Sequence, residues 1–145
     1  MSAVYISTEN ILPDKQGISS FGTTSPSERV TYFHAEDVLV SNIRPYFKKM
    51  WFATTAGGCN ADVLCFRALD RKYSYLLKSI IYQDSFFDYV MSGAKGTKMP
   101  RGDKTHIMQY QIPRFSESQL NKFNSLASTI ERNQAQNRRE ISTLE

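Results

Sequence analysis

At 145 residues the chain has the length of one ordinary domain, able to bury roughly 70% of the surface that its unfolded form exposes. Its 41% hydrophobic and 22% charged residues are a globular composition and exclude a wholly disordered chain. Eighteen basic against fourteen acidic side chains leave a net charge of +4, which favours a polyanionic partner without demanding one; no apolar run approaches the roughly 20 residues that span a bilayer, so a soluble, cytoplasmic protein is expected.

Along the chain, Val30, Tyr32 and His34 alternate with Thr31 and Phe33, and Val38 and Val40 alternate with Leu39 and Ser41, as strands with two distinct faces do. Further strands are expected at Lys49 to Thr54, Asp62 to Arg67 and Ile107 to Ile112, with Ala56-Gly57-Gly58 as a hairpin or bulge. Cys59 and Cys65 have no zinc-like spacing, and Cys65 reads as a small buried strand residue. Tyr75 to Met91 carries Leu76, Leu77, Ile80 and Ile81, then Phe86, Phe87 and Val90, an apolar helical stripe that belongs in a core. Asp84-Ser85 can start a second helix within it, and Gly93 is a natural stop.

From Ser116 onward there is neither glycine nor proline, which places a boundary at Ile112 to Phe115 and divides the chain into a globular part, 1–113, and a helix, 114–145. Ser116 and Gln119 form a capping box. Leu120, Phe123, Ala127, Ile130, Gln134, Asn137, Ile141 and Leu144 then follow in steps of three and four, a heptad seam with two polar positions that fix register. A helix of about 30 residues is roughly 45 Å long, more than one small domain covers, so part of it should project and pair with another helix.

Three stretches together, Tyr5-Ile6-Ser7-Thr8-Glu9-Asn10-Ile11, Asp37-Val38-Leu39-Val40-Ser41-Asn42-Ile43-Arg44, and Ile112-Pro113-Arg114-Phe115 leading into Gln119 and the long helix, resemble the specificity subunits of type I restriction-modification systems. In that family a full subunit carries two target-recognition domains, each followed by a long helix, and the helices pack antiparallel as a spacer between DNA half-sites. The resemblance covers nearly the whole chain, which departs from the family in having one such domain and one such helix. It implies an α/β (α+β) fold, with a curved, mostly antiparallel, β-rich recognition domain, short helices and a coiled-coil-type C-terminal helix. The implied partners are double-stranded DNA, modification (methyltransferase) subunits, restriction subunits for cleavage, and a second specificity half or a second copy paired through the helix. None of the chemistry is implied to reside in this chain.

Two basic segments are the expected contacts with DNA. Arg44-Pro45-Tyr46-Phe47-Lys48-Lys49 sets three cations and two aromatics between strands, and Ser92 to Lys104 contributes Lys95, Thr97, Lys98, Arg101 and Lys104 among three glycines. The second segment lacks the Gly-Lys-Ser/Thr ending of a nucleotide-binding P-loop. For base readout the candidates are Arg101, Lys98, Arg44 and Asn60, since Arg and Lys suit guanine and Asn suits adenine; Asn60 reads equally well as a turn residue. The polar Ser7 to Asn10 segment fits a loop brace better than a phosphate contact.

Two other classes compete. A magnesium nuclease would draw on Glu36, Asp37, Asp62 and Lys49, but they form no compact signature, and turn or strand-edge duty explains the two aspartates better. No elbow motif frames a serine, and neither His34 nor His106 sits in a catalytic setting, so no catalytic residue, metal or cofactor is expected. A protein-interaction module acting through the helix alone would differ from a DNA reader in having little salt dependence.

Overall fold

The computed structural model describes residues 4–22 and 29–144, with side chains described up to 134 and at 136. Among these residues there are six short strands: β1 (Tyr5–Ile6), β2 (Thr31–Phe33), β3 (Val38–Ser41), β4 (Met50–Phe52), β5 (Gly57–Cys59) and β6 (Val63–Phe66). Helices α1 (Ser74–Ile81), α2 (Asp84–Ser92), the one-turn α3 (Lys104–Ile107) and α4 (Glu117–Leu144) follow. The strands form two sheets, ordered β1-β5-β2 and β4-β3-β6, and only the β1–β5 pair is parallel. The fold is α+β and mostly antiparallel, as expected.

β3 is the centre of this arrangement because both of its faces are covered. Val38 and Val40 pack with Met50, Ile81, Phe86, Phe87, Val90 and Ile107 beneath the helices, while Leu39 faces Ile6, Ile11, Phe33, Ala53, Cys59 and Val63 between the sheets. Each such fully buried aliphatic contributes roughly 1.5 to 3 kcal/mol. Of the stripe on Tyr75 to Met91, Ile81, Phe86, Phe87 and Val90 are buried core and Leu77 packs against them, Leu76 and Ile80 are half-buried, and the helix breaks between Ile81 and Asp84.

Two expectations are corrected. Gly57 and Gly58 are not a turn but part of the middle strand of the first sheet, because the missing side chains admit close neighbours. A Cβ at Gly57 would lie 2.6 Å from the Val4 carbonyl oxygen and 2.9 Å from Phe33, and one at Gly58 would lie 3.3 Å from Val30. Ile107 to Ile112 is not a strand: the Asp103 carboxylate accepts from the Thr105 N–H at 3.1 Å and starts α3, which buries Ile107 in the helical core before the chain turns.

At the start of α4 the capping box is present in both directions, Ser116 N–H to Gln119 Oε1 at 2.9 Å and Gln119 N–H to Ser116 Oγ at 3.1 Å. The helix then lies along α1, where Lys78 pairs with Glu131. Leu120, Phe123 and Ala127 are half-buried on that side, whereas Leu126, Ile130 and Gln134 are exposed. The first part of the expected seam is therefore engaged with its own domain; the side chains of Asn137, Ile141 and Leu144 lie outside the described residues. No helix among the described residues is long and apolar enough to cross a membrane.

Candidate nucleic-acid interface

Beyond Ser41 the chain continues as Asn42 to Arg44 and acquires neighbours on both sides. The Asn42 N–H donates to the Asp62 carbonyl at 2.8 Å on one flank. On the other, Arg44 N–H donates to the Pro100 carbonyl at 2.7 Å and Gly102 N–H to the Asn42 carbonyl at 3.2 Å, while the Asn42 side-chain amide donates to the Gly102 carbonyl at 3.1 Å. Arg101 is also paired with Lys95 by two backbone bonds of 2.9 Å. The glycine-rich segment is thus a pinned strap rather than a loose loop.

Its glycines are placed by sterics. Gly102 is wedged so tightly that a Cβ would fall 2.4 Å from Asn42 Oδ1 and 3.0 Å from both Val90 and Ile107. Gly96 turns the tip with φ +102°, a conformation open to glycine. Between the two pinned ends Thr97, Lys98 and Met99 are exposed.

The two basic segments of the sequence therefore meet, but not with all of their residues. Arg44, Lys95, Lys98, Arg101 and Lys104 gather around the strap, and among the described residues Arg101 alone of these has an acidic partner, Asp62. Lys48 instead donates to Asp84 at 3.0 Å, a carboxylate shared with Lys15 at 2.6 Å that holds Lys48 above its usual pKa. Lys49 donates to the Thr8 carbonyl at 3.1 Å. Asn60 is occupied too, donating to the Tyr5 hydroxyl at 3.3 Å and accepting from the Asp62 N–H at 2.8 Å. These contacts give Lys48, Lys49 and Asn60 internal duties, and Asn60 serves the turn without a left-handed backbone.

Sequence reasoning missed Lys15 and the role of Asp62. The local clue to the first is backbone geometry that composition does not reveal: Asp14, Lys15, Arg44 and Lys48 all adopt positive φ, 58°, 61°, 49° and 54°, each at a cost on the order of 1 kcal/mol. Such strain concentrates where a turn must present particular groups. Beside Asp62 lies an open polar cleft of about 530 Å³ bordered by Tyr5, Thr8, Glu9 and Asn60. Ser7 at its edge is locked to Asn10 Oδ1 through both its N–H, at 2.8 Å, and its hydroxyl, at 2.9 Å, which is a brace.

The residues weighed for hydrolysis do not converge. Asp37 is fully buried and receives Arg67 at 2.9 and 2.8 Å, the His34 N–H at 2.8 Å and the Cys65 thiol at 3.4 Å. Burial pushes its carboxyl up, but these bonds outweigh it and hold Asp37 below the usual carboxylate range. Glu36 accepts from the Tyr75 hydroxyl at 3.3 Å, and no cluster of three or more His, Cys, Asp or Glu suited to a metal occurs among the described residues. Burial raises Cys59 to about 11 and Cys65 to about 12, leaving them as thiols at neutral pH. His106 stacks on Tyr89 at 4.1 Å, its Nε2 3.0 Å from the Tyr89 carbonyl and 3.0 Å from Ser92 Oγ.

No protein-family model and no curated protein matches the chain. Solved structures do. The HsdS subunit from Thermoanaerobacter tengcongensis matches with a TM-score of 0.65 at 18% identity, over 97% of this chain and 38% of that one. A chain from a structure describing complex assembly and conformational transition of the type I restriction-modification system matches with a TM-score of 0.66 at 19% identity, over 97% of this chain and 39% of that one. The chain thus has the fold of the matched part of an HsdS subunit and spans about two fifths of the length of the chains it matches.

Proposed function

We propose that this chain, whose fold is that of part of an HsdS subunit, is one half of a type I restriction-modification specificity subunit and reads DNA sequence on behalf of partner subunits. The observation that carries the reading is the strap: Arg44, Lys95, Lys98, Arg101 and Lys104 converge from two distant segments on a backbone held by bonds of 2.7 to 3.2 Å. Lys95, Lys98, Lys104 and Arg44 neutralise phosphates and release counterions, which supplies affinity. Base edges are read from the strap itself, because a reader must be held more firmly than a phosphate contact. Lys48 and Lys49 support the turn beside Arg44, and Asn60 supports the one before Asp62.

Methylation and cleavage belong to the modification and restriction subunits, so this chain needs no cofactor, metal or catalytic residue. The globular part selects and the α4 helix measures: Leu126 and Ile130, exposed at 63% and 46%, with the seam residues beyond them, pair with a second specificity half or a second copy. Two copies related by a twofold axis would read inverted half-sites at fixed separation. A chain that stays monomeric at high micromolar concentration in sedimentation would overturn pairing with a second copy.

The test is selection from a randomised duplex library at two salt concentrations. The expected result is enrichment of a short motif, with affinity falling steeply as salt rises. The exposed apolar side chains of α4 favour a second reading, a helix-borne interaction module. Absence of DNA binding at either salt, with helix pairing retained, would replace the first reading by that one.

A further inference from the structure

We propose that Asp62 is a positioning residue for base recognition: its carboxylate grips the Arg101 guanidinium at one nitrogen and presents the remaining donors to a guanine in the major groove. This rests on the DNA-reading role proposed above and names how one base pair is chosen.

Arg101 is the most firmly held cation of the strap. Its backbone lies between Lys95 on one side and Ile43 on the other, bridged to both. Asp62 is equally fixed: its N–H donates to Asn60 Oδ1 at 2.8 Å, its carbonyl accepts from the Asn42 N–H at 2.8 Å, and Asn60 is itself tied to the Tyr5 hydroxyl. Two anchored backbones therefore define where the guanidinium sits before any DNA arrives. Part of the rotamer entropy of a long side chain is already lost, which lowers the cost of ordering it on a base.

The form of the contact supports the same role. It joins Nη1 to Oδ1 only, whereas Arg67 meets Asp37 with Nε and Nη2 on both carboxylate oxygens. A guanidinium has five N–H donors in a rigid fork, so a one-point grip leaves a pair of donors for guanine O6 and N7. The Arg101 side chain is 54% exposed, and its partner is 30% exposed, so the pair is open to the surface where a groove would lie. Asp62 would also face a wrong base or a misplaced phosphate with a negative charge, which adds discrimination by repulsion.

The experiment is the randomised-duplex selection run side by side on the full chain, Asp62→Asn, Arg101→Lys and the double variant, with folding checked by circular dichroism. The expected result is that Asp62→Asn lowers the ratio of target to non-target affinity by about tenfold and relaxes preference at one G·C pair only. Arg101→Lys, which keeps the charge but not the fork, should lose preference at the same pair, and the double variant should be no worse than Arg101→Lys alone. An Asp62→Asn motif identical to that of the unaltered chain, or a sharper one, would overturn the inference while leaving DNA reading intact. Should Asp62→Asn not fold, an Arg101→Lys chain that keeps full preference overturns it equally. If the unaltered chain enriches no motif, the inference falls together with the reading on which it rests.

Discussion

At one end of the β3–β6 ladder Asp37 precedes Val38 and meets Arg67, which follows Phe66; at the other end Asp62 precedes Val63 and meets Arg101 on the strap. The residue types are the same and the conditions opposite. Asp37 has no exposed surface and collects four donors, while Asp62 is 30% exposed and holds one nitrogen of its arginine. A buried carboxylate with both oxygens engaged is committed to the fold, since releasing its partner would strand a charge in a dry place. An exposed one-point pair can add or exchange a partner at small cost. The strands between them are one rigid unit, so the Asp37 end holds the frame against which the Asp62 end is positioned.

The largest expected effect comes from breaking the buried end. Asp37→Ala should destabilise the protein by about 3 kcal/mol in urea denaturation, at the lower end of the range for a buried pair because Arg67 keeps access to solvent. The same pair shapes the acid limb. With the folded carboxyl held below its ordinary value, its contribution is complete above the unfolded pKa and is lost as pH falls through the folded one. Stability should therefore be level from neutrality to about pH 5 and decline below about pH 4, and Asp37→Asn should flatten that decline. An acid limb identical in both proteins would mean that Asp37 is not the committed group.

A smaller loss is expected where the strap joins the frame. Gly102→Ala places a methyl 2.4 Å from Asn42 Oδ1 and against Val90 and Ile107, and should cost about 1 to 2 kcal/mol by overpacking. Its signature is local: faster proteolytic nicking within 95–101 in excess of the fall in melting temperature. A uniform loss of stability with the strap still protected would show that the strap is no more separable than the Asp37 end.

How much of this was legible follows from how far apart the partners lie. The alternation of Val38, Leu39 and Val40 is local, as are the Ser116–Gln119 capping box and the break before Asp84, and each was readable from neighbouring residues. Gly57 and Gly58 form a strand because Val4, Phe33 and Val30 close over them, and nothing in Ala56-Gly57-Gly58 announces that. Ile107 has strand-like neighbours but is drawn into a helical turn by Asp103 before it and by the core over it. At the site, the cations were visible as basic segments, but their assignments were not. Arg101 finds Asp62 across 39 residues, Lys48 finds Asp84 across 36 and Lys49 finds Thr8 across 41, so that only the fold separates the cations engaged internally from those left for a ligand.

The smallest expected effect sharpens the comparison most. Asp62→Asn or Arg101→Ala should change unfolding free energy by about 0.5 kcal/mol or less, because an exposed ion pair gains little over hydration of its separate charges. That near-neutrality is what allows either residue to be specialised for a partner without a stability penalty elsewhere in the sheet. It also separates two meanings of an ion pair beside a strand end. If Asp62→Asn were to cost as much as Asp37→Ala, the two ends of the ladder would be structurally alike, and Arg101 would be a second clamp rather than a side chain held ready. A negligible cost together with a changed base preference would instead locate selectivity in a contact that folding does not require.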